Sequence, residues 1–173
     1  GRWTLAGPGE PPLRPAFPPV VAALVEGRDR VAPGTPIGVL SNSTTAHRPQ
    51  IRDALARLDE GGMKHDAGTQ DDLRHVNAAA TPITQIVEAL AALPDIAVQA
   101  MFVREPRGRV DNARPAAVEA WLRAIARIRP REVQIYTLAR RPAWASLEPV
   151  PAARLREIAA QVQALGVPAA VFV

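Results

Sequence analysis

Short apolar runs and longer amphipathic runs take turns along nearly the whole of this chain, and that alternation limits its fold more than any single motif does. The apolar runs fall at 3–5, 37–40, 63–67, 96–103, 132–138 and 169–173, and each reads as a strand. Between them the apolar spacing predicts helices. Val20, Val21, Leu24 and Val25 share one face over 20–30, and Ile51, Leu55 and Leu58 do so over 49–58. The clearest is 82–93, where Ile83, Ile86, Val87 and Leu90 recur at three and four residues. Pro115 suits a first helical turn and Arg129-Pro130 a stop, which predicts a helix over 115–128; another spans 152–165. Strands alternating with helices of this length form right-handed βαβ units in a parallel sheet. Six strands make either an open doubly wound sheet or part of a barrel. Both architectures gather their chemistry at the C-terminal ends of the strands.

With 173 residues and 47% hydrophobic content, the chain reads as one domain over 1–173. No apolar stretch reaches bilayer length and no signal peptide opens the sequence, so a cytoplasmic protein is expected. Gly1-Arg2-Trp3 reads as the middle of a longer sequence. There is no cysteine, which excludes disulfides, Cys-ligated zinc and a Cys nucleophile within this chain. His47, His65 and His75 lack ligand spacing and read as surface or loop residues; no metal ligand is assigned. The net charge of +4 and pI near 10.8 invite a nucleic-acid reading. Yet Lys64 is the sole lysine among 21 cationic residues, and the arginines alternate with Asp and Glu rather than cluster with aromatics. Scattered solvated charge is the reading adopted.

The residues after the strands then carry the interest. After the first comes Gly7-Pro8-Gly9-Glu10-Pro11-Pro12-Leu13, whose glycines let backbone approach a ligand, although a plain strand-to-helix turn also accounts for them. Ser41-Asn42-Ser43-Thr44 follows the second strand and reads as a polar rim or as a helix-capping cluster. Lys64 and Asp66 are two residues apart, so in a strand both point into one cavity; a surface ion pair is the alternative. Gln99 and Gln134 interrupt apolar strands, either lining a barrel interior or meeting solvent.

These segments resemble, in order, motifs of the radical S-adenosylmethionine superfamily. Gly7 to Leu13 resembles the Gly-Glu-Pro loop after the second strand, and Ser41-Asn42-Ser43 the Thr/Ser-Asn-Gly/Ser stretch after the third. Lys64 to Ala67 resembles a Lys-x-Asp-Ala segment, and Val76-Asn77 an Ile-Asn-Arg-Pro turn. Positions 133–142 resemble a Val-Gln-x-x-Thr-x-x-Arg-Pro-Pro run. The order is similar to that of the wyosine-synthase-like branch.

The resemblance implies a partial TIM-type (βα)6 barrel lacking its first βα unit. In the family, a Cys-x3-Cys-x2-Cys loop after that first strand holds a 4Fe–4S cluster that binds S-adenosylmethionine, which yields a 5′-deoxyadenosyl radical. On this reading Gly7, Gly9, Glu10, Pro11, Ser41, Asn42, Gln99 and Gln134 face the cofactor, while Lys64 and Asp66 are the catalytic candidates on the cavity wall. Gly9, Ser41, Asp66, Gln99 and Gln134 are expected near one rim. Relatives in this branch act on tRNA, which makes tRNA a substrate by analogy.

The departures from the family pattern are equally specific. The cysteine segment is absent, so neither cluster nor S-adenosylmethionine is expected to bind this chain alone. Pro8 and Pro12 remove backbone donors from the loop, Arg14 stands at a common His position, and Arg114 stands where a capping Ser or Thr is expected before Pro115. The reading is thus an N-terminally truncated radical S-adenosylmethionine enzyme, with a non-catalytic, partner-binding α/β remnant as the alternative. A phosphate-binding barrel enzyme is a third class, but Gly166-Val167-Pro168 supplies no Gly-rich phosphate loop. An uncovered first strand is also expected to promote self-association at the sheet edge.

Overall fold

The computed structural model describes residues 1–6, 9–108, 110–140, 142 and 144–173. Its elements follow the predicted alternation: β1 (Trp3–Leu5), α1 (Phe17–Val31), β2 (Ile37–Ser41), α2 (Pro49–Leu55), β3 (Glu60–Lys64), α3 (Gln70–Asn77) and α4 (Ile83–Ala91). Then come β4 (Ala97–Met101), β5 (Val103–Arg104), α5 (Pro115–Ile128), β6 (Glu132–Tyr136), β7 (Glu148–Pro149), α6 (Ala152–Ala164) and β8 (Ala169–Phe172). Six strands form one wholly parallel sheet in the order β1-β2-β3-β4-β6-β8. The order never reverses, so right-handed crossovers put every helix on the same face. That excludes the doubly wound alternative and leaves a partial TIM-like barrel: helices outside, an open face inside.

Strand alternation sorts the side chains accordingly. Val39, Met63, Val98, Ala100, Val133 and Ile135 point to the helices and join Val21, Leu90, Trp121, Ile125 and Ile158 in one buried core. Trp121 is its largest member. Its indole Nε1–H donates to the His65 carbonyl at 2.9 Å, and its ring meets Phe102 edge-on at 5.1 Å. The opposite face carries Thr4, Leu40, Gln99, Gln134 and Phe172 and lies open.

Helix α1 begins three residues before its predicted start and α2 ends three before its predicted end, and three departures are larger. The third strand begins three residues early, at Glu60, and ends at Lys64 rather than Ala67. Gly61 and Gly62, which carry no strand signal, lie inside it, and Leu40 crosses over Gly62: a Cβ there would stand 2.6 Å from Leu40 Cδ2. Helix α3 lies in a stretch with no predicted element. The long strand predicted over 96–103 is β4 followed by β5, which pairs antiparallel with β7 as a small ribbon above the sheet. No helix among the described residues is long and apolar enough to cross a membrane.

Candidate functional site

The C-terminal ends of β1, β2, β3, β4 and β6 meet along one rim. The first two are joined there by a single carboxylate. Glu10 accepts Ser41 Oγ–H at 2.6 Å on one oxygen and the Asn42 N–H at 2.8 Å on the other. The loop after β1 is thereby tied to the loop after β2 across 31 and 32 residues of sequence. Gly9 permits the turn, with φ of +96° and open space where a Cβ would stand. Pro11 opens a short 3-10 turn over Pro11–Leu13. Gly7 lies outside the described residues. Ser41 Oγ also accepts the Ser43 N–H at 3.0 Å, and Asn42 Oδ1 accepts both the backbone N–H and the hydroxyl of Thr44. This polar cluster shapes its own loop. It does not cap α2, whose N-cap is Arg48 without a side-chain bond.

The second centre of the rim is Asp66. Its side chain is fully buried, and three donors converge on it. The Met101 N–H reaches Oδ1 at 2.7 Å, while Asn77 Nδ2 at 2.5 Å and Lys64 Nζ at 3.1 Å reach Oδ2. Burial raises the carboxyl's pKa, and Lys64, the Met101 amide and Asn77 each act against that rise. For Lys64, burial draws the pKa down, but the Asp66 charge, the Tyr136 charge and the hydrogen bond to Asp66 together outweigh it, so the pKa is raised and the ammonium persists. Tyr136, on the end of β6, feels the same pair. Burial and the Asp66 charge raise its pKa, against the opposing pull of Lys64.

Behind the pair, Asn112 is buried and spans three backbone groups. It donates to the carbonyls of Asp66 and Met101 and accepts the Val103 N–H, each at 2.8 Å. The loop that holds Asp66 is thus bolted to the end of β4.

Gln99 and Gln134 are not on the rim. They register with Lys64, two residues short of the last paired residues of β4 and β6, on the open face below. Gln99 Nε2–H donates to Gln134 Oε1 at 2.9 Å, and Gln134 passes the chain on to Glu132 at 3.0 Å. They stand half-buried on the inner face, which lies open.

A cavity of about 250 Å³ opens between the loops after β2 and β3, lined by Asn42, Thr44, Lys64, His65, Asp66 and Asn77 over a floor that includes Leu73 and Ile86. It brings Asn42 together with Lys64 and Asp66. Gly9, Glu10 and Pro11 line a different, largely apolar cleft beside α1. His65, expected at the surface or in a loop, lies in the loop after β3 but is buried, at 2% exposed. Its Nε2 and the Asn77 Oδ1 are buried without a hydrogen-bond partner among the described residues. Desolvation holds the His65 imidazole down at about 4, so it is neutral at ordinary pH.

Two residues of this site, Tyr136 and Asn112, were not singled out by sequence, and Asn77 entered only within the Val76-Asn77 turn resemblance. Tyr136 is the sole tyrosine and lies within the strand predicted over 132–138, which was a usable signal. Asn77 and Asn112 lie 11 and 46 residues from Asp66, and nothing local marks Asn112.

Among the described residues no group of three His, Cys, Asp or Glu could hold a metal ion, and the sequence contains no cysteine. A thiolate-bound cluster therefore does not fit the residues of this chain. A cofactor's amino acid moiety would find the exposed Gly9 backbone, but both Glu10 oxygens are engaged by the next loop.

No protein-family model matches the chain, and no curated protein matches it in sequence. Among solved structures, a domain of pyruvate-formate lyase-activating enzyme from Bacteroides vulgatus ATCC 8482 is similar, with a TM-score of 0.72 and 14% identity. The match covers 100% of this chain and 99% of that one. A radical SAM methyltransferase from Sphaerobacter thermophilus is similar at a TM-score of 0.67 and 16% identity, over 99% of this chain and 50% of that one. The chain thus spans about half of the methyltransferase. At these identities the likeness is one of fold.

Proposed function

We propose that this chain is the parallel half-barrel of a radical S-adenosylmethionine enzyme, with its cluster ligands supplied from outside these 173 residues. The observation that carries the reading is the contact between the two motif loops. Glu10, from the segment resembling Gly-Glu-Pro, holds Ser41 and Asn42, from the segment resembling Ser-Asn-Ser. Two stretches whose resemblance was noted separately meet at the C-terminal rim, where βα barrels keep their chemistry. The fold shared with the two solved structures supports the same family.

When bound, cluster and cofactor would supply the radical. This chain's part is to shape the cavity. Asn42, Lys64, Asp66 and Asn77 would line it, with Lys64 and Asp66 as a neutral pair that offers donors without net charge. The wyosine-synthase-like branch, with tRNA as its substrate, is the finer assignment and rests on the order of the motifs alone.

A second reading is a non-catalytic domain without cofactor. The engagement of both Glu10 oxygens inside the protein favours it. Fusing a Cys-x3-Cys-x2-Cys segment ahead of Gly1, followed by anaerobic treatment with iron and sulfide, separates the two. The enzyme reading expects a 4Fe–4S signal in the fusion that shifts when S-adenosylmethionine is added. A fusion that binds iron but leaves that signal unmoved would favour the remnant.

A further inference from the structure

Among the described residues, five buried side-chain polar atoms have no hydrogen-bond partner: Ser43 Oγ, Thr45 Oγ1, His47 Nδ1, His65 Nε2 and Asn77 Oδ1. Buried polar groups are ordinarily paired, so a cluster of exceptions asks for a cause. These five do not scatter. They belong to the loop after β2, the loop after β3 and the last residue of α3, in the middle of the sheet and away from both of its edges. Two of them, on His65 and Asn77, line the rim cavity of about 250 Å³.

The unused hydrogen-bonding groups of that cavity fall into two sets. The donors are Lys64 Nζ, whose partner is Asp66, and Asn42 Nδ2, on an amide engaged only through its Oδ1 among the described residues. The acceptors are Asn77 Oδ1, fixed in that role because Nδ2 of the same amide donates to Asp66, and His65 Nε2, with the ring proton on Nδ1. Lys64 and Asp66 hold opposite charges 3.1 Å apart, so the site is neutral but polarised. A ligand with a single charge would leave one charge uncompensated there. One that carries both signs matches it. Beneath these groups the floor is apolar, with Leu73, Val76 and Ile86. Drug-sized ligands take about 300–1,000 Å³, and this cavity is smaller.

We propose, resting on the function proposed above only for the use of this cavity, that it takes a free α-amino acid with an apolar side chain. The carboxylate lies against Lys64 and Asn42, the ammonium against Asn77 and His65, and the side chain on the apolar floor. Solvent does not reach Asn77 Oδ1 or His65 Nε2, so the ligand reaches them by displacing the loop after β2. That loop holds Ser43 in the left-handed region, at φ of +68°, and buries two more unpaired hydroxyls, Ser43 Oγ and Thr45 Oγ1. A non-glycine residue is strained in this region, and a shift that frees the hydroxyls offsets the cost of moving.

Saturation-transfer NMR on the native chain tests this, with L-leucine as the probe at millimolar concentration. The leucine methyl signals are expected to receive saturation from the protein. N-acetyl-L-leucine lacks the ammonium and isopentylamine lacks the carboxylate. Each is expected to bind at least about tenfold more weakly, the measure of one charge-assisted hydrogen bond. Lys64→Met is expected to weaken leucine by a similar factor. Absence of transfer to leucine overturns the proposal and assigns the unpaired atoms to ordered water. Equal binding of the three probes overturns it too, since that is apolar adsorption alone. So does a Lys64→Met chain that binds leucine as the native one does. Should circular dichroism show that Lys64→Met has lost its fold, Asn42→Ala, at an exposed side chain, carries the same comparison with the same deciding outcomes. Leucine binding requires no cluster. A chain that ignores leucine, beside a fusion whose cluster signal responds to S-adenosylmethionine, overturns the amino acid and leaves the enzyme standing.

Discussion

Three donors converge on the buried Asp66 carboxylate, and one of them is charged. Removing the acceptor strands all three, whereas removing the lysine leaves two neutral donors in place. Breaking a buried pair by deleting one member costs about 3–5 kcal/mol. Asp66→Ala is therefore expected near that range in urea denaturation. Lys64→Met is expected well below it, since the Lys64 side chain is 30% exposed. Equal losses would mean that the ion pair, not the three-donor clamp, holds the loop. The neighbouring His65 makes a pH prediction. Its folded pKa of about 4 lies below the unfolded value of 6.5, so between these limits the unfolded chain binds more protons. Stability should fall as pH drops through that window, by roughly 3 kcal/mol in all. Asp66, raised in the fold, opposes this by gaining stability on acidification. The His65 share is read as the difference between the native and His65→Leu curves, and parallel curves would show that the imidazole is not buried in solution. The Lys64–Asp66 pair was legible from its two-residue spacing. What makes it a clamp was not, because Asn77, Met101 and Asn112 reach it only through the fold.

At the scale of elements, boundaries set by backbone chemistry were legible, and those set by packing were not. Helix α5 runs over Pro115–Ile128 as expected, between a proline at its first position and Arg129 in the left-handed region at φ of +53°. Helix α3 escaped because it is mostly polar, with Leu73 its buried anchor. Its signal was a cap: Thr69 accepts the Asp72 N–H at 3.1 Å and donates its hydroxyl to the Asp72 carboxylate at 2.7 Å. Thr69→Ala is expected to cost about 1 kcal/mol. Gly68, one residue earlier, lies hard against the backbone of α5. A Cβ there would lie 2.0 Å from the Trp121 backbone nitrogen and 2.2 Å from the Ala120 carbonyl carbon. Backbone cannot swing aside as a side-chain tip can, so Gly68→Ala must push the loop after β3 off α5. Overpacking typically costs 1–3 kcal/mol, and this variant should reach at least about 3 kcal/mol. It should also quench the asymmetry of Trp121 in near-ultraviolet circular dichroism. A variant as stable as the native chain would mean that α5 and this loop stand farther apart.

For the whole molecule, alternation alone reached a parallel α/β sheet but could not separate barrel from doubly wound order, since both share the same local pattern. Only the unreversed strand order decides it, and that order also leaves one face open. The open face bears on cofactor affinity. In the proposed enzyme the cluster would anchor S-adenosylmethionine; without thiolates, binding would rest on a few hydrogen bonds from Gly9, Asn42 and the wall of the rim cavity. Each contributes about 0.5–1.5 kcal/mol net. Immobilising a ligand costs about 4 kcal/mol or more, so three or four such bonds barely offset it. Glu10 lowers the sum further, because turning its carboxylate to a ligand means giving up Ser41 and Asn42. Titration of this chain with S-adenosylmethionine in a calorimeter is therefore expected to give no saturable heat. Glu10→Gln should leave that result unchanged while loosening the tie between the first two loops. Saturation in the low micromolar range would show that the rim alone supplies the missing anchor, and that the cluster is not what the fold needs to hold its cofactor.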